Sequence, residues 1–330
     1  MTASTPTQQR EVESSLPGSR AQSTRHHHDR HPVSRFFHSQ KAAPYLFVAP
    51  FIITFALFWA YPIGRSLTMS TQWIVPGTSQ FIGLENFQRM FGDRLFWLAI
   101  GNSLRYMLLT LVLLIPIPMA LAAMVNSKIG SPKIKSFFKS AMFVPALTSV
   151  VVAGIIFGLM FSEGDNGLMN QVVGLFGGAP VRWLRNDITG LIALLALAVW
   201  RWTGVNMMYF LAGLQQIPQE HYEAASLDGA SKLQTFWHVT LPSLKPTIIF
   251  VTTISVFGGL AMFLESFMLW SGNNSPQNIG LTIVGYLYRF GVERNDLGFA
   301  SAVGVVLLAL VLIINLTQLT LTGFFKKEKR

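Results

Sequence analysis

Residues 297–325 read LGFASAVGVVLLALVLIINLTQLTLTGFF, 29 residues without one charged side chain. An α-helix needs about 20 apolar residues to cross the ~30 Å hydrocarbon core of a bilayer. This stretch therefore predicts a membrane span. Five runs of the same kind precede it. Leu46–Ile63, Tyr106–Val125 and Ser140–Phe161 carry no charge, Ile188–Leu214 is broken only by Arg201, and Thr247–Trp270 only by Glu265. We place six spans at about residues 46–65, 104–125, 140–161, 188–214, 247–270 and 297–325, numbered here as segments one to six. Barrel strands would be shorter and would alternate apolar with polar residues, so the expected fold is all-α and polytopic, across residues 41–330.

The composition agrees. Of 330 residues, 51% are hydrophobic and 12% charged, about half the ~25% charged content of soluble domains. Too few polar side chains remain to cover a water-soluble surface, which excludes a soluble enzyme. The net charge of +10 suggests nucleic acid until its distribution is read. With the N-terminus cytosolic, the inside segments are 1–45, 126–139, 215–246 and 326–330. They hold 16 of the 25 basic residues and all ten lysines, but only 7 of the 15 acids. That asymmetry is the positive-inside signature of an inserted membrane protein with both termini in the cytosol; membrane lipid, not nucleic acid, is the implied partner.

Residues 1–40 are rich in Ser, Thr, Gln, Arg and His and lack apolar periodicity, so we expect a disordered cytosolic tail. His26, His27, His28, His31 and His38 are open to two readings, a metal site or a solvated low-complexity segment; the ligand spacing of a structural site is missing. No cysteine is present, which removes disulfides and thiolate chemistry. The chain contains no G-x-x-x-x-G-K-[ST] loop, G-x-S-x-G or H-E-x-x-H. We expect no enzyme, no ATPase site of its own and no cofactor or metal in this chain.

The loop between segments four and five, 215–246, reads QQIPQEHYEAASLDGASKLQTFWHVTLPSLKP. Pro218 suits the start of a helix over Gln219–Leu227. Gly229 tolerates the positive φ that ends it, and Ser231 can cap a second short helix. Leu233, Phe236 and Trp237 share a face of that helix, and Pro242 is expected to stop it. Such a hairpin either tucks against its own membrane helices or docks a cytosolic partner.

Glu223-Ala224-Ala225, Gly229 six residues after the Glu, and Val239-x-Leu241-Pro242 resemble the EAA motif of ABC importer permeases, E-A-A-x3-G-x9-I-x-L-P, with Val in place of Ile. Phe81-Ile82-Gly83-Leu84-Glu85-Asn86-Phe87 resembles the F-x-G-L-x-N-[FY] segment of carbohydrate-importer permeases, and Leu211-Ala212-Gly213-Leu214-Gln215-Gln216-Ile217-Pro218 is also typical of them. The likeness covers residues 40–330 and points to a maltose-permease-like subunit. It implies an importer of a mono- or oligosaccharide with a second permease, two ATP-binding subunits that carry ATP and Mg, and an extracytoplasmic solute-binding protein. It further implies that Glu223, Ala224, Ala225, Asp228, Gly229, Phe236, Leu241 and Pro242 couple the chain to the ATPase. Glu223 would make a polar contact to it, and Leu241 and Pro242 would fix the second helix.

In segment four, Trp202, Asn206, Tyr209 and Gly213 share one face. A ring plus an amide suits a sugar, while Gly213 equally suits close approach of the partner permease's helices. Ser255, Gly258, Gly259 and Met262 give segment five a small-residue face. Trp202, Asn206 and Tyr209, with Ser255, Gly258, Met262 and Glu265, are the expected substrate path. On straight helices Arg201 lies roughly 18 Å from the inner end of its segment and Glu265 roughly 27 Å, so a salt bridge between them is open but not favoured by depth. A secondary transporter would need ion-coupling carboxylates or broken helices around a midplane site, and a single intramembrane acid fits that poorly. A receptor or scaffold docking a partner through 215–246 is the remaining alternative.

Overall fold

The computed structural model describes residues 43–324, apart from residues 76, 128, 129 and 166; the tail reading for 1–40 and its histidines falls outside them. The described residues fall into two compact units that divide between Ala60 and Tyr61. In the first, the described chain is helical throughout, α over Ala43–Phe55 and π over Ala56–Ala60, with the rings of Phe51 and Phe55 stacked at 6.4 Å.

The described residues are predominantly helical, with almost no strand. Four helices are long and apolar enough to cross a membrane: Pro44–Met69, Arg94–Asn126, Asp187–Gln215 and Leu297–Leu321. Two bent pairs raise the number to six if each counts as one span, Pro132–Leu147 with Val150–Met160 and Lys232–Ser243 with Lys245–Leu260. Segments three and five are therefore not the straight helices that their uncharged runs suggest. Segment three turns by 96°, because Thr148 and Ser149 both adopt extended backbone just after Pro145, which offers no N–H to the ladder. Segment five ends its first helix at Leu260 and resumes only at Leu264–Leu269.

Segment four is the central element. Asn186 caps it by accepting from Ile188 N, and Gly204 lets it press against the Met142 carbonyl, where an added Cβ would come within 1.7 Å. Leu194, Leu197 and Ala198 pack with Tyr106, Phe157 and Met262 in one apolar cluster; Met207, Phe210 and Leu214 pack with Ala122, Leu244 and Val251 in another.

Segment two explains one polar residue at this centre. Its helix Arg94–Leu114 meets Pro116–Asn126 at Ile115. Pro118 carries no N–H, so the Leu114 carbonyl loses its i+4 donor. Buried Asn206 replaces it, donating Nδ2 to Leu114 O at 3.0 Å.

The only strands among the described residues form a small hairpin, β1 (Gln72–Val75) and β2 (Thr78–Phe81), antiparallel with Gln72 opposite Phe81. The Phe81–Phe87 motif clips it in place. Gly83 takes φ +62°, the helix Glu85–Gly92 begins, and fully buried Asn86 donates to the carbonyls of Ser70 and Gln72. Arg89 then pairs with Asp296 at 3.1 Å, and Asp296 caps the helix of segment six. At this end Tyr286 donates to Asp93 Oδ2 at 2.6 Å; burial, then that bond, raises its phenol above the ordinary value.

Asn206→Ala is expected to destabilise the protein by about 1–3 kcal/mol, because it strands a buried carbonyl. In a Pro118→Ala background the new N–H reaches Leu114 and the penalty should shrink. Thermal unfolding of the four proteins measures this, and equal penalties in both backgrounds would refute it.

Candidate functional site: the hairpin and the cleft on segment four

The loop 215–246 folds largely as its local signals dictate. One helix runs Gln219–Leu227, Gly229 turns the chain at φ +74°, and Ser231 forms a full capping box with Gln234 over the helix Lys232–Thr235. Pro242 behaves otherwise than expected. The second helix does not stop there: it passes through a π turn, Phe236–Thr240, and continues over Leu241–Ser243. The proline leaves the His238 carbonyl without a donor, and widening the turn to i→i+5, with Leu241 N donating to Phe236 O, lets the chain pass. The bend comes at Leu244 instead, 65° before Lys245–Leu260.

The hairpin exposes both its acids and its apolar side chains. Glu223, Ala224, Asp228 and Pro242 are exposed, as are Leu227, Leu233 and Trp237. Ala224, Ala225, Asp228 and Pro242 line a groove of about 470 Å³ between the two helices. Phe236 faces the other way, into a cavity of about 410 Å³ beneath the hairpin, and stacks edge-on against Trp237 at 5.6 Å. A Tyr222–Thr240 hydroxyl contact of 3.3 Å ties the two helices together. Buried Leu244 carries the bend onto segment four: a Cβ on Gly213 would meet its side chain at 3.0 Å and Thr247 Oγ1 at 2.4 Å. Gly213 thus serves a close approach within this chain.

A second feature lies midway along segment four. Trp202, Asn206, Ser255, Gly258, Met262 and Glu265 all line one cleft of about 100 Å³. Six of the seven expected path residues are thus brought together. Tyr209 is not; its ring packs edge-on against Phe250 at 5.2 Å. Asn206 presents its amide to Leu114 O rather than leaving that N–H₂ for a ligand. Arg201 and Glu265, whose pairing depth left open but did not favour, are paired at 3.1 Å with side chains about 15% exposed. The depth estimate assumed a straight segment five. The helix breaks at residues 261–263, Phe263 leaving helical geometry at φ −147°, so the full helical rise does not accrue before Glu265.

Several wall residues escaped the sequence reading, Tyr106 and Thr110 of segment two among them. Their signal was present: with Leu114 they stand at i, i+4 and i+8, one stripe of a helix.

Residues 30–323 match the family described as "Binding-protein-dependent transport system inner membrane component". The chain belongs to that family. It is 49% identical over 292 residues to the arabinooligosaccharides transport system permease protein of Bacillus subtilis, covering 88% of this chain and 92% of that one. The lactose transport system permease protein of Rhizobium radiobacter is 33% identical over 279 residues, covering 83% and 92%. A solved bacterial ABC transporter involved in the import of the acidic polysaccharide alginate superposes with a TM-score of 0.74 at 25% identity, covering 86% and 96%.

In this multi-pass inner-membrane transport component, the helices that Leu244 and Gly213 bring into contact join the exposed hairpin to two walls of the cleft. Gly229 permits the hairpin turn, and nothing lies within 4 Å of an added Cβ there. Gly229→Ala should therefore cost about 1–2 kcal/mol from backbone strain alone, and Gly229→Asn less. Thermal unfolding distinguishes the two; equal losses would point to a steric cause instead.

Proposed function

We propose that this chain is the permease subunit of an ATP-driven importer of a sugar, crossing the bacterial cytoplasmic membrane six times with both termini in the cytosol. It has no ATPase site of its own. It works with a second permease, two ATP-binding subunits that hold ATP and Mg, and an extracytoplasmic solute-binding protein. The observation that carries this reading is the 215–246 hairpin. An exposed patch of Leu227, Leu233 and Trp237 beside Glu223 and Asp228 is the surface a cytosolic partner covers, and the EAA spacing falls on it. The lysine asymmetry supports the orientation, and the arabinooligosaccharide and lactose relatives support a sugar.

In this reading ATP closes the ATPase pair and moves the hairpin. The bend at Leu244 passes the movement to Gly213 and so along segment four to the cleft. Glu223, Ala224, Ala225, Asp228, Gly229, Phe236, Leu241 and Pro242 serve coupling, while Trp202, Asn206, Ser255, Gly258, Met262 and Glu265 wall the path, Tyr209 standing one helical step away. The cleft is smaller than the roughly 300–1,000 Å³ of a complete small-molecule site, as expected when a second permease supplies the facing wall.

Uptake of labelled arabinooligosaccharide by cells lacking the chain, with variants restored, tests the assignment. Glu223→Ala should lower uptake about tenfold or more, equivalent to about 1.4 kcal/mol of lost docking. Uptake that survives deletion of the ATPase subunits, or a Glu223→Ala variant that transports normally, rejects coupling through the hairpin.

A further inference from the structure

Among the described residues, Glu265 is the one charged side chain on the cleft wall. Its partner Arg201 does not line the cleft. The guanidinium is held by the Glu265 carboxylate at 3.1 Å and lies against the Trp202 ring, 5.2 Å from its centroid. The wall that a solute meets is thus a carboxylate, hydroxyls from Tyr106, Thr110 and Ser255, and the Trp202 ring, with the neutralising cation behind it.

This arrangement bears on the charge of the solute. The Glu265 carboxylate meets the guanidinium charge through one nitrogen, the Nε is buried without a partner, and Arg201 stands off the cleft wall, so an anion on that wall finds that charge already balanced. An acidic sugar entering the cleft would lose its hydration, approach Glu265 and find no free cation on this wall. Charge repulsion is weakly screened there, so the cost is large compared with the same encounter in water. An uncharged sugar meets the opposite situation. A carboxylate accepts several hydroxyl hydrogen bonds, and an indole face covers the C–H surface of a sugar ring.

We propose that the Arg201–Glu265 pair makes this cleft selective for uncharged glycosides and turns away sugars carrying carboxylate or phosphate groups. The inference rests on reading the cleft as the solute path, and it is not set by fold: a transporter of the same architecture is involved in importing acidic alginate.

The test uses the assembled complex of both permeases and both ATPases, without the binding protein, so that its selectivity does not intervene. Equilibrium binding of galactobiose and digalacturonate is measured at millimolar sugar; the two differ at C6, hydroxymethyl against carboxylate. The wild type should favour galactobiose by about tenfold or more. An Arg201→Gln, Glu265→Gln double variant keeps the shape, strands no charge and should bring the ratio below about threefold. Glu265→Gln alone leaves Arg201 uncompensated and should reverse the preference. Equal binding by the wild type overturns the proposal, as does an unchanged ratio in a double variant that assembles normally. If that variant fails to assemble, the wild-type ratio decides. Binding of neither sugar overturns the solute-path reading of the cleft, and the proposal with it.

Discussion

A backbone carbonyl or amide that leaves a helix inside an apolar protein must find a partner there, because no water is at hand to supply one. Much of this structure follows from that requirement. At several places where the described chain departs from regular helix, an asparagine side chain stands beside it. Asn206 serves the carbonyl freed by Pro118, and Asn102 donates toward the carbonyls of Asn278, Ile279 and Leu281. Asn86 holds the start of the hairpin, Asn170 bridges Gly164 and Val181, and Asn273 donates to Gly285 O. An amide both donates and accepts without carrying charge, so it satisfies irregular backbone at low desolvation cost.

Other breaks in the helices are where the functional geometry arises. The interruption at residues 261–263 ends the first helix of segment five and brings Glu265 within reach of Arg201. The π turn at Phe236–Thr240 carries the second hairpin helix past Pro242, and the bend follows at Leu244 on the close contact with Gly213. Long straight helices would have buried the same residues without placing a charged pair beside a cleft or a hairpin on the end of a lever.

The hairpin was legible in the sequence because each of its determinants is local. Gly229 ends one helix through its own φ, and Ser231 with Gln234 closes a capping box across three residues. The cleft was half legible. A helical face can be read from spacing, which found Trp202, Asn206, Ser255, Gly258 and Met262. The same spacing also admitted Tyr209, because a face that spans several turns does not say which neighbour each turn meets. Asn206 was seen as a polar group needing a purpose; that its purpose is Leu114, 92 residues away, depends on two helices lying side by side.

The sequence by itself determined that this chain is an all-α membrane protein with a hairpin at 215–246, since hydrophobic length, charge asymmetry and capping residues act over one helix or less. Tertiary structure alone decided that segments three and five break, that Gly213 receives Leu244 and Thr247, and that Arg201 meets Glu265 rather than standing apart from it. Those outcomes depend on where helix axes bend and cross. A change of a few degrees at residues 261–263 moves a side chain by ångströms, and an ion pair forms or fails within that distance.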